Sequence, residues 1–347
     1  MSFNYEWNLK DAVFTKDKGK VFSCFACGGG STMGYKLAGF DVIGMNEIDP
    51  KMAACYIENH KPKYSFIEPI QEFKNKKELP EELFDLDILD GSPPCSSFSV
   101  CGNREADWGK EKKFREGQAV QVLDDLFFHF IDLAKRLHPK IIVAENVKGL
   151  LLGEAKSYVT KILASLEDSG YKTTYKLLNA SKMGVPQRRE RVFFISVRND
   201  IDIDTIDLFS NEPYINLEFD EKEIVYSEIK KEDGPDISKL YYNRWQKRKK
   251  SDNSFSDICS REEGKIKCFS DVFCKKNSAI PTITGKGFIV DFDSGKRISS
   301  KSLIKAGSFP ADYNFLDQKI SYLIGMSVPP VMMAKIADRI YNQWLKK

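Results

Sequence analysis

Two prolines set a cysteine at the end of an apolar run: residues 85–89 lead into Gly91, Ser92, Pro93, Pro94 and Cys95. Proline fixes φ and stops a strand or helix from continuing, so the Cys95 thiol is presented on a stiff backbone. A thiol so placed can be a nucleophile where its pKa is lowered. The alternative is a small buried hydrophobe, the usual fate of a free cysteine. Glu145 and Asn146 close a second apolar run, 141–144. Burial there favours the neutral carboxyl, which suits a proton donor near neutral pH. Gln187, Arg188, Arg189, Glu190 and Arg191 lead into a third run. Strand alternation would put Arg189 and Arg191 on one face, able to hold a carboxylate, a carbonyl or a phosphate together. A lone arginine pair is also met as a surface salt bridge. Gly28, Gly29 and Gly30 follow the run 21–27, and Glu47 ends the next. A glycine turn exposes backbone N–H groups at a helix start, and an acid on the neighbouring strand can hold a ribose hydroxyl pair. Together they describe an adenosine-binding unit, or else a structural turn beside a surface glutamate.

These groups need a scaffold, and the first 200 residues supply one. Short apolar runs at 21–27, 41–47, 85–89, 141–145, 175–179 and 192–197 read as strands. Helical spacing covers 31–38 up to Gly39, then 50–59, 118–137 and 158–169. This order predicts an α/β fold with an open, largely parallel sheet, helices on both faces and ligands at the carboxyl ends of the strands. Residues 96–117 are polar and glycine-punctuated, the texture of a loop that closes over a substrate. Residues 329–345 read as an amphipathic helix begun by a proline pair.

The 347 residues carry 53 Lys+Arg against 50 Asp+Glu, a net charge of +3, with 42% hydrophobic residues. This is the composition of a soluble globular protein of about two domains. The apolar runs are too short to span a bilayer, and no secretory leader is expected in the first residues. Eight cysteines are then expected as reduced thiols. Cys24 and Cys27 sit in the glycine-turn region, where packing accounts for them; Cys259, Cys268 and Cys274 lack metal-ligand spacing, so no metal is expected. The near-neutral total hides an asymmetry. Residues 200–236 hold 13 acidic residues and 3 Lys, whereas 239–312 hold 16 basic and 8 acidic ones. Within the basic part, 241–250 interleaves Tyr241, Tyr242 and Trp245 with Arg244, Lys247, Arg248, Lys249 and Lys250. That pattern suits a nucleic-acid surface and equally a solvated lysine-rich loop.

The order of these motifs resembles the DNA (cytosine-5) methyltransferases: Phe25 with Gly28–Gly30, then Glu47, then the Pro-Pro-Cys at 93–95. Glu145-Asn146-Val147 follows, then Gln187 with Arg189 and Arg191, and last Gly325 with Ser327, Val328, Pro329 and Pro330. The resemblance spans nearly the whole chain. It implies a Rossmann-like class I methyltransferase domain with a mixed, mostly parallel sheet over 1–198, completed by 315–347, and a smaller target-recognition domain over 199–314. It implies transfer of a methyl group from S-adenosylmethionine to C5 of cytosine in double-stranded DNA. Cys95 would add to C6 of a flipped-out base, Glu145 would bind and protonate N3, and Arg189, helped by Arg191, would hold O2. The cofactor would meet Phe25, Gly28, Gly29, Gly30, Glu47, Ile48, Ile70, Ser92, Pro94, Leu126, Ser327 and Val328. DNA would meet Ser96, Ser99, Asn146, Val147, Gln187, Arg244, Lys247 and Arg248, with Arg104, Lys110, Lys112, Lys113 and Arg115 available to phosphates.

A cytoplasmic monomer without membrane attachment is expected, in a bacterial or phage-infected cell. Whether a cognate restriction endonuclease accompanies it stays open. An RNA (tRNA) cytosine-5 methyltransferase and a catalytically weak DNA-binding paralogue are the alternatives. Five positions depart from the family pattern. Cys27 replaces a glycine of the cofactor turn, and Pro69 replaces an aspartate, leaving Ile70 as the adenine contact. Ser96 replaces a glutamine after the nucleophile, and Met326 replaces an asparagine near the cofactor's amino-acid end. The fifth is the stretch 297–313, which keeps Arg297, Phe309, Pro310 and Tyr313 but little else of its motif. A re-formed pocket, weak affinity or a related sulfonium donor would each fit.

Overall fold

In chain order, Lys20–Cys24 (β1), Gly30–Ala38 (α1), Asp41–Asn46 (β2), Pro50–His60 (α2), Tyr64–Phe66 (β3) and Ile70–Phe73 (α3) form the first units. Ile88–Gly91 (β4), Glu111–Lys112 (β5), Gln121–Val122 (β6), Leu126–Leu137 (α4), Ile141–Val147 (β7) and Ala155–Asp168 (α5) follow. Tyr171–Asn179 (β8), Gln187–Arg188 (β9) and Glu190–Arg198 (β10) close this half. The computed structural model describes residues 3–94, 111–112, 121–122, 125–153, 155–203 and 213–346. Seven strands lie in the order β3-β2-β1-β4-β7-β10-β8, and all are parallel except β10. The mixed, mostly parallel α/β sheet read from the sequence is therefore the fold.

Successive residues of each strand feed opposite faces, as a period of two requires. Phe22, Leu89, Ile142 and Phe194 pack under α4 and α5, with Phe130 and Ile162. Val21, Ile88, Val143 and Phe193 pack with Tyr35 of α1 and with Met333 and Ile336 of the C-terminal helix. Each such side chain contributes about 1.5–3 kcal/mol when fully buried. Boundaries differ from the sequence reading by four residues or more in three places. The helix expected from 118 starts at Leu126, because β6 occupies 121–122. Strand β8 begins at Tyr171, four residues early; it is an edge strand whose Lys172 and Lys176 interrupt the apolar pattern. The helix expected to run to 345 is α-helical only to Ile340, then makes one wider π turn over Tyr341–Leu345.

The second half adds Tyr226–Ile229 (α6), Asp233–Asp236 (β11), Lys239–Trp245 (α7), Phe255–Glu263 (α8), Val272–Cys274 (β12) and Ile280–Pro281 (β13). Ile289–Asp291 (β14), Lys296–Ile298 (β15), Ser300–Ala306 (α9), Ile320–Met326 (α10) and Pro330–Ile340 (α11) complete it. A small sheet, β11-β15-β14-β12, carries its own core of Phe255, Ile258, Phe273 and Val290. Ile203, Ile215 and Leu217 instead join the core of the large sheet. The halves are tied by the parallel pair β9–β13 and by a shared cluster that includes Met33, Met52, Ile280, Phe309, Tyr313 and Leu323. Ile320–Leu345 is apolar enough to cross a membrane, but 78% of its most apolar window is buried in this fold.

Candidate active site

Chain progression reverses between β1 and β4, the place where an open α/β sheet leaves a crevice at its strand ends. The glycine turn lies on one side of it. Gly29 has φ 80°, and a Cβ there would strike the His60 ring; a Cβ on Gly30 would strike the Val328 carbonyl. Glycine is thus required by conformation at one position and by close approach at the other. Phe25 and Cys27 flank the turn with φ of 53° and 49°, a left-handed conformation costing about 1–2 kcal/mol for a residue with a Cβ. Cys27 N and Asp49 N donate to the two oxygens of the buried Glu47, at 2.7 and 2.8 Å. Burial pushes the Glu47 carboxyl up, against the pull of these amides. Tyr313 OH donates to the Gly28 carbonyl at 2.6 Å, and Ser327 Oγ to the Leu323 carbonyl at 2.8 Å.

Between these parts runs a narrow cleft. Phe25, Gly30, Ser92, Met326, Ser327 and Val328 line it, and Ser23 and Asp90 reach it from β1 and β4. Among the described residues no basic side chain lines it, so its chemistry fits a cationic ligand. Ile48 is half-buried beside Glu47, while Ile70 and Leu126 lie in the core under the sheet.

The acid and one of the two arginines meet across the adjacent strands β7 and β10. Glu145, 8% exposed on β7, accepts from Arg191 Nε at 2.8 Å. Arg191 Nη1 also donates to the Glu190 carbonyl at 2.8 Å. Arg189 goes elsewhere. Only 2% exposed, it donates from Nη1 to the Ile283 carbonyl at 3.2 Å and from Nη2 to the Gly325 carbonyl at 3.0 Å. Burial, then the nearby Arg191, lowers its pKa to about 9. The shared face expected for the two arginines is not kept, because Arg189 sits at the break between β9 and β10. Asn146 Nδ2 donates to the Pro93 carbonyl at 3.2 Å, so this buried residue props the turn that leads to Cys95. Gln187 is also buried: Nε2 donates to the Ala306 carbonyl and Oε1 accepts from Ile283 N, both at 3.1 Å. Val147 ends β7, half-buried. Pro94 is half-buried; Cys95, Ser96, Ser99 and the loop cations Arg104, Lys110, Lys113 and Arg115 lie outside the described residues, as does the Lys112 side chain. Burial and then the Glu47 charge push the Cys27 thiol up to about 12, so it is no nucleophile.

On the small sheet, much of the aromatic and cationic run is spent internally. Arg248 lies over the Trp245 ring at 3.7 Å and donates to the Phe292 carbonyl at 2.8 Å. Arg244 pairs with Glu263 at 3.0 Å, and Tyr241 OH donates to Asp271 at 2.5 Å. Tyr242, Lys247, Lys249 and Lys250 remain exposed. A cavity of about 210 Å³ opens between the sheet and α10, lined by Arg297, Lys319, Thr282 and Thr284 among others and by no acid. Arg297 stacks over Phe288 at 4.3 Å, and its buried Nε has no partner.

Residues 19–342 match the family of C-5 cytosine-specific DNA methylases. The chain belongs to this family. It is 36% identical over 184 residues to the Type II methyltransferase M.FnuDI of Fusobacterium nucleatum, covering 53% of this chain and 48% of that protein. Against M.BspRI of Lysinibacillus sphaericus, another Type II methyltransferase, it is 28% identical over 94% of this chain and 82% of the relative. For M.FnuDI and for M.NgoPII of Neisseria gonorrhoeae, the match spans about half of the relative's length. A structure of DNMT2 from Spodoptera frugiperda superposes with a TM-score of 0.61 at 16% identity, covering 91% of this chain and 98% of that one, which shows the shared fold.

Membership of the methylase family makes the turn legible: Cys27, standing where the family has glycine, adopts the left-handed conformation that glycine adopts freely. Sequence reasoning passed over Ser23, Asp90 and Ile283, and kept Tyr313 only as a motif residue without a role. The signal for Asp90 was present, an acid closing the apolar run Ile88-Leu89, the same pattern that drew attention to Glu145. Ile283 and Tyr313 act through backbone carbonyls or pack from distant segments, which no local pattern marks.

Proposed function

We propose that this protein transfers a methyl group from S-adenosylmethionine to C5 of cytosine in double-stranded DNA. The contact of Arg191 with Glu145, at the strand ends beside the Pro-Pro-Cys turn, carries the reading. The cofactor supplies an electrophilic methyl group on a sulfonium. The acid-lined, base-free cleft fits such a cation, with Glu47 for its ribose and Phe25, the glycine turn, Ser327 and Val328 around it.

C5 of cytosine is too weak a nucleophile to take a methyl group unaided. Addition of the Cys95 thiolate to C6 gives C5 enamine character. Glu145 gives a proton to N3 as charge develops on the ring. O2 is the ring substituent next to N3, so the guanidinium in contact with Glu145 is the one placed to hold it. That assigns O2 to Arg191 rather than Arg189, with Arg189 bracing Ile283 and Gly325 behind it. After methyl transfer the C5 proton passes to water, the Cys95–C6 bond breaks to return the thiolate, and N3 gives its proton back to Glu145. The base must leave the duplex for this, at a cost of a few kcal/mol. The recognition surface falls within residues 199–314, where Lys247, Lys249, Lys250 and Arg297 offer cations to phosphates. Such an enzyme works as a monomer where DNA is, in the cytoplasm of a bacterial cell, with or without a cognate endonuclease.

The test is incorporation of labelled methyl groups into mixed-sequence duplex DNA, with bisulfite sequencing to locate them. Labelled cytosine, abolished by Cys95→Ser, is the expected outcome. Labelling of tRNA alone would move the substrate to RNA. No incorporation into either would leave a binding paralogue.

A further inference from the structure

Asp90 is a buried acid for which the proposed chemistry has no use. It is 2% exposed and lies on β4, beside Ser23 of β1, its register partner. Ser23 Oγ donates to one of its oxygens at 2.7 Å, and Tyr35 OH of α1 to the other at 3.2 Å. No cation contacts it among the described residues, and the nearest charge facing it, Glu145 on β7, is of like sign. A buried carboxyl is ordinarily paired with a cation, because leaving water costs several kcal/mol per ion. This one instead borders the cleft between the glycine turn and Ser327. The neighbouring Met326 offers this cleft no polar group, and among the described residues no cation lines it to offset the carboxyl.

We infer that Asp90 receives the ammonium of the cofactor's amino-acid end. The inference rests on the cofactor reading above and goes beyond it, giving β4 the polar contact that Met326 cannot make. It has a consequence for pH. Burial, opposed by the Ser23 and Tyr35 hydrogen bonds and reinforced by Glu145, raises the free carboxyl to about 7. A ligand bearing an ammonium binds the ionised form, so below neutrality binding must expel a proton. Affinity then rises with pH up to about 7 and levels above it.

Calorimetric titration of the full chain between pH 5.5 and 7.5 tests this with two ligands. S-adenosylhomocysteine keeps the ammonium, whereas methylthioadenosine keeps the nucleoside and lacks the amino-acid end. Glu47 meets the ribose of both, so its titration cancels in the comparison. S-adenosylhomocysteine is expected to tighten about tenfold per pH unit below 7, with a proton released to buffer, while methylthioadenosine stays within twofold. In Asp90→Asn, S-adenosylhomocysteine should weaken at least tenfold at pH 7.5 and lose its pH dependence, with methylthioadenosine unchanged. The wild-type profile stands even if the variant does not fold. Loss of both ligands alike in the variant, or a flat wild-type profile for S-adenosylhomocysteine, would overturn the role of Asp90 while leaving the cofactor reading intact. If neither ligand binds the wild-type chain, the cofactor reading itself falls.

Discussion

The large sheet and the small sheet use charge in opposite ways. At the strand ends of the large sheet the ionisable groups of the candidate site are few and buried: Asp90 and Arg189 are 2% exposed, Glu145 8%. They are held by hydroxyls, backbone carbonyls and one another. On the small sheet the cations are many and mostly solvated. Lys247, Lys296 and Lys301 meet Glu262, Asp236 and Glu232 at the surface, at 3.9, 3.7 and 3.0 Å. Charges in a low-dielectric interior interact strongly and tolerate no missing partner. Exposed pairs are worth at most about 1 kcal/mol and are screened by salt. On the proposed function, the first region acts on one atom of a substrate and the second attracts a polyanion without fixing each phosphate in place.

Glu145→Gln probes the buried side with the largest expected effect. The substitution keeps the shape and a hydrogen-bond acceptor for Arg191 but removes the transferable proton. Methyl transfer should slow by about 10²–10⁴-fold, as loss of a positioned acid does, with the KM for DNA within a few-fold. Single-turnover transfer of labelled methyl groups measures it. A loss below tenfold would mean that the buried acid is a structural partner of Arg191 and nothing more.

Stability separates the two regions next. Arg189→Met leaves the Ile283 and Gly325 carbonyls without their donors, a loss of about 2–4 kcal/mol for two charge-assisted bonds in the interior. Replacing Lys247, Lys249 and Lys250 together by alanine should change stability by less than about 1 kcal/mol. The triple variant should instead flatten the salt dependence of DNA binding, by about 0.9 in the log–log slope for each phosphate that a lysine no longer neutralises. Urea denaturation and a salt series of binding constants read the two effects. An Arg189 variant of unchanged stability, or a triple lysine variant with an unchanged slope, would erase the contrast.

The same contrast decides what could be read from the chain. On the large sheet each chemical group closes an apolar run, as Glu145 closes 141–144, so the strand pattern and the site are marked by one local signal. The α/β class and the largely parallel sheet followed from that. The partners did not. Arg189 reaches Ile283, 94 residues away, and Gly325, 136 away, and strand alternation does not carry across the break between β9 and β10. On the small sheet strands of three or four residues leave almost no periodicity. The run 241–250 could not be divided by composition either. Arg248 and Tyr241 turn inward because Trp245, Phe292 and Asp271 are there to meet them.

The smallest effect concerns the glycine turn, where a local rule is broken in plain view. Cys27 holds φ 49° with a Cβ in place, and its thiol lies 3.7 Å from Met52 Sδ and 3.8 Å from Ser327 Oγ. Cys27→Ala and Cys27→Gly remove the same sulfur interactions, so the difference between them isolates the backbone. Alanine keeps the left-handed penalty of about 1–2 kcal/mol, whereas glycine relieves it and gives back about 0.5–1 kcal/mol through the freedom of the unfolded chain. The glycine variant should therefore be the more stable of the two by about 0.5–1 kcal/mol, reversing the usual order in which glycine is the worse choice. Paired urea denaturation curves at one pH resolve this. If alanine proves equal or better, the turn is not strained at Cys27, and the departure from glycine there carries no cost in the fold.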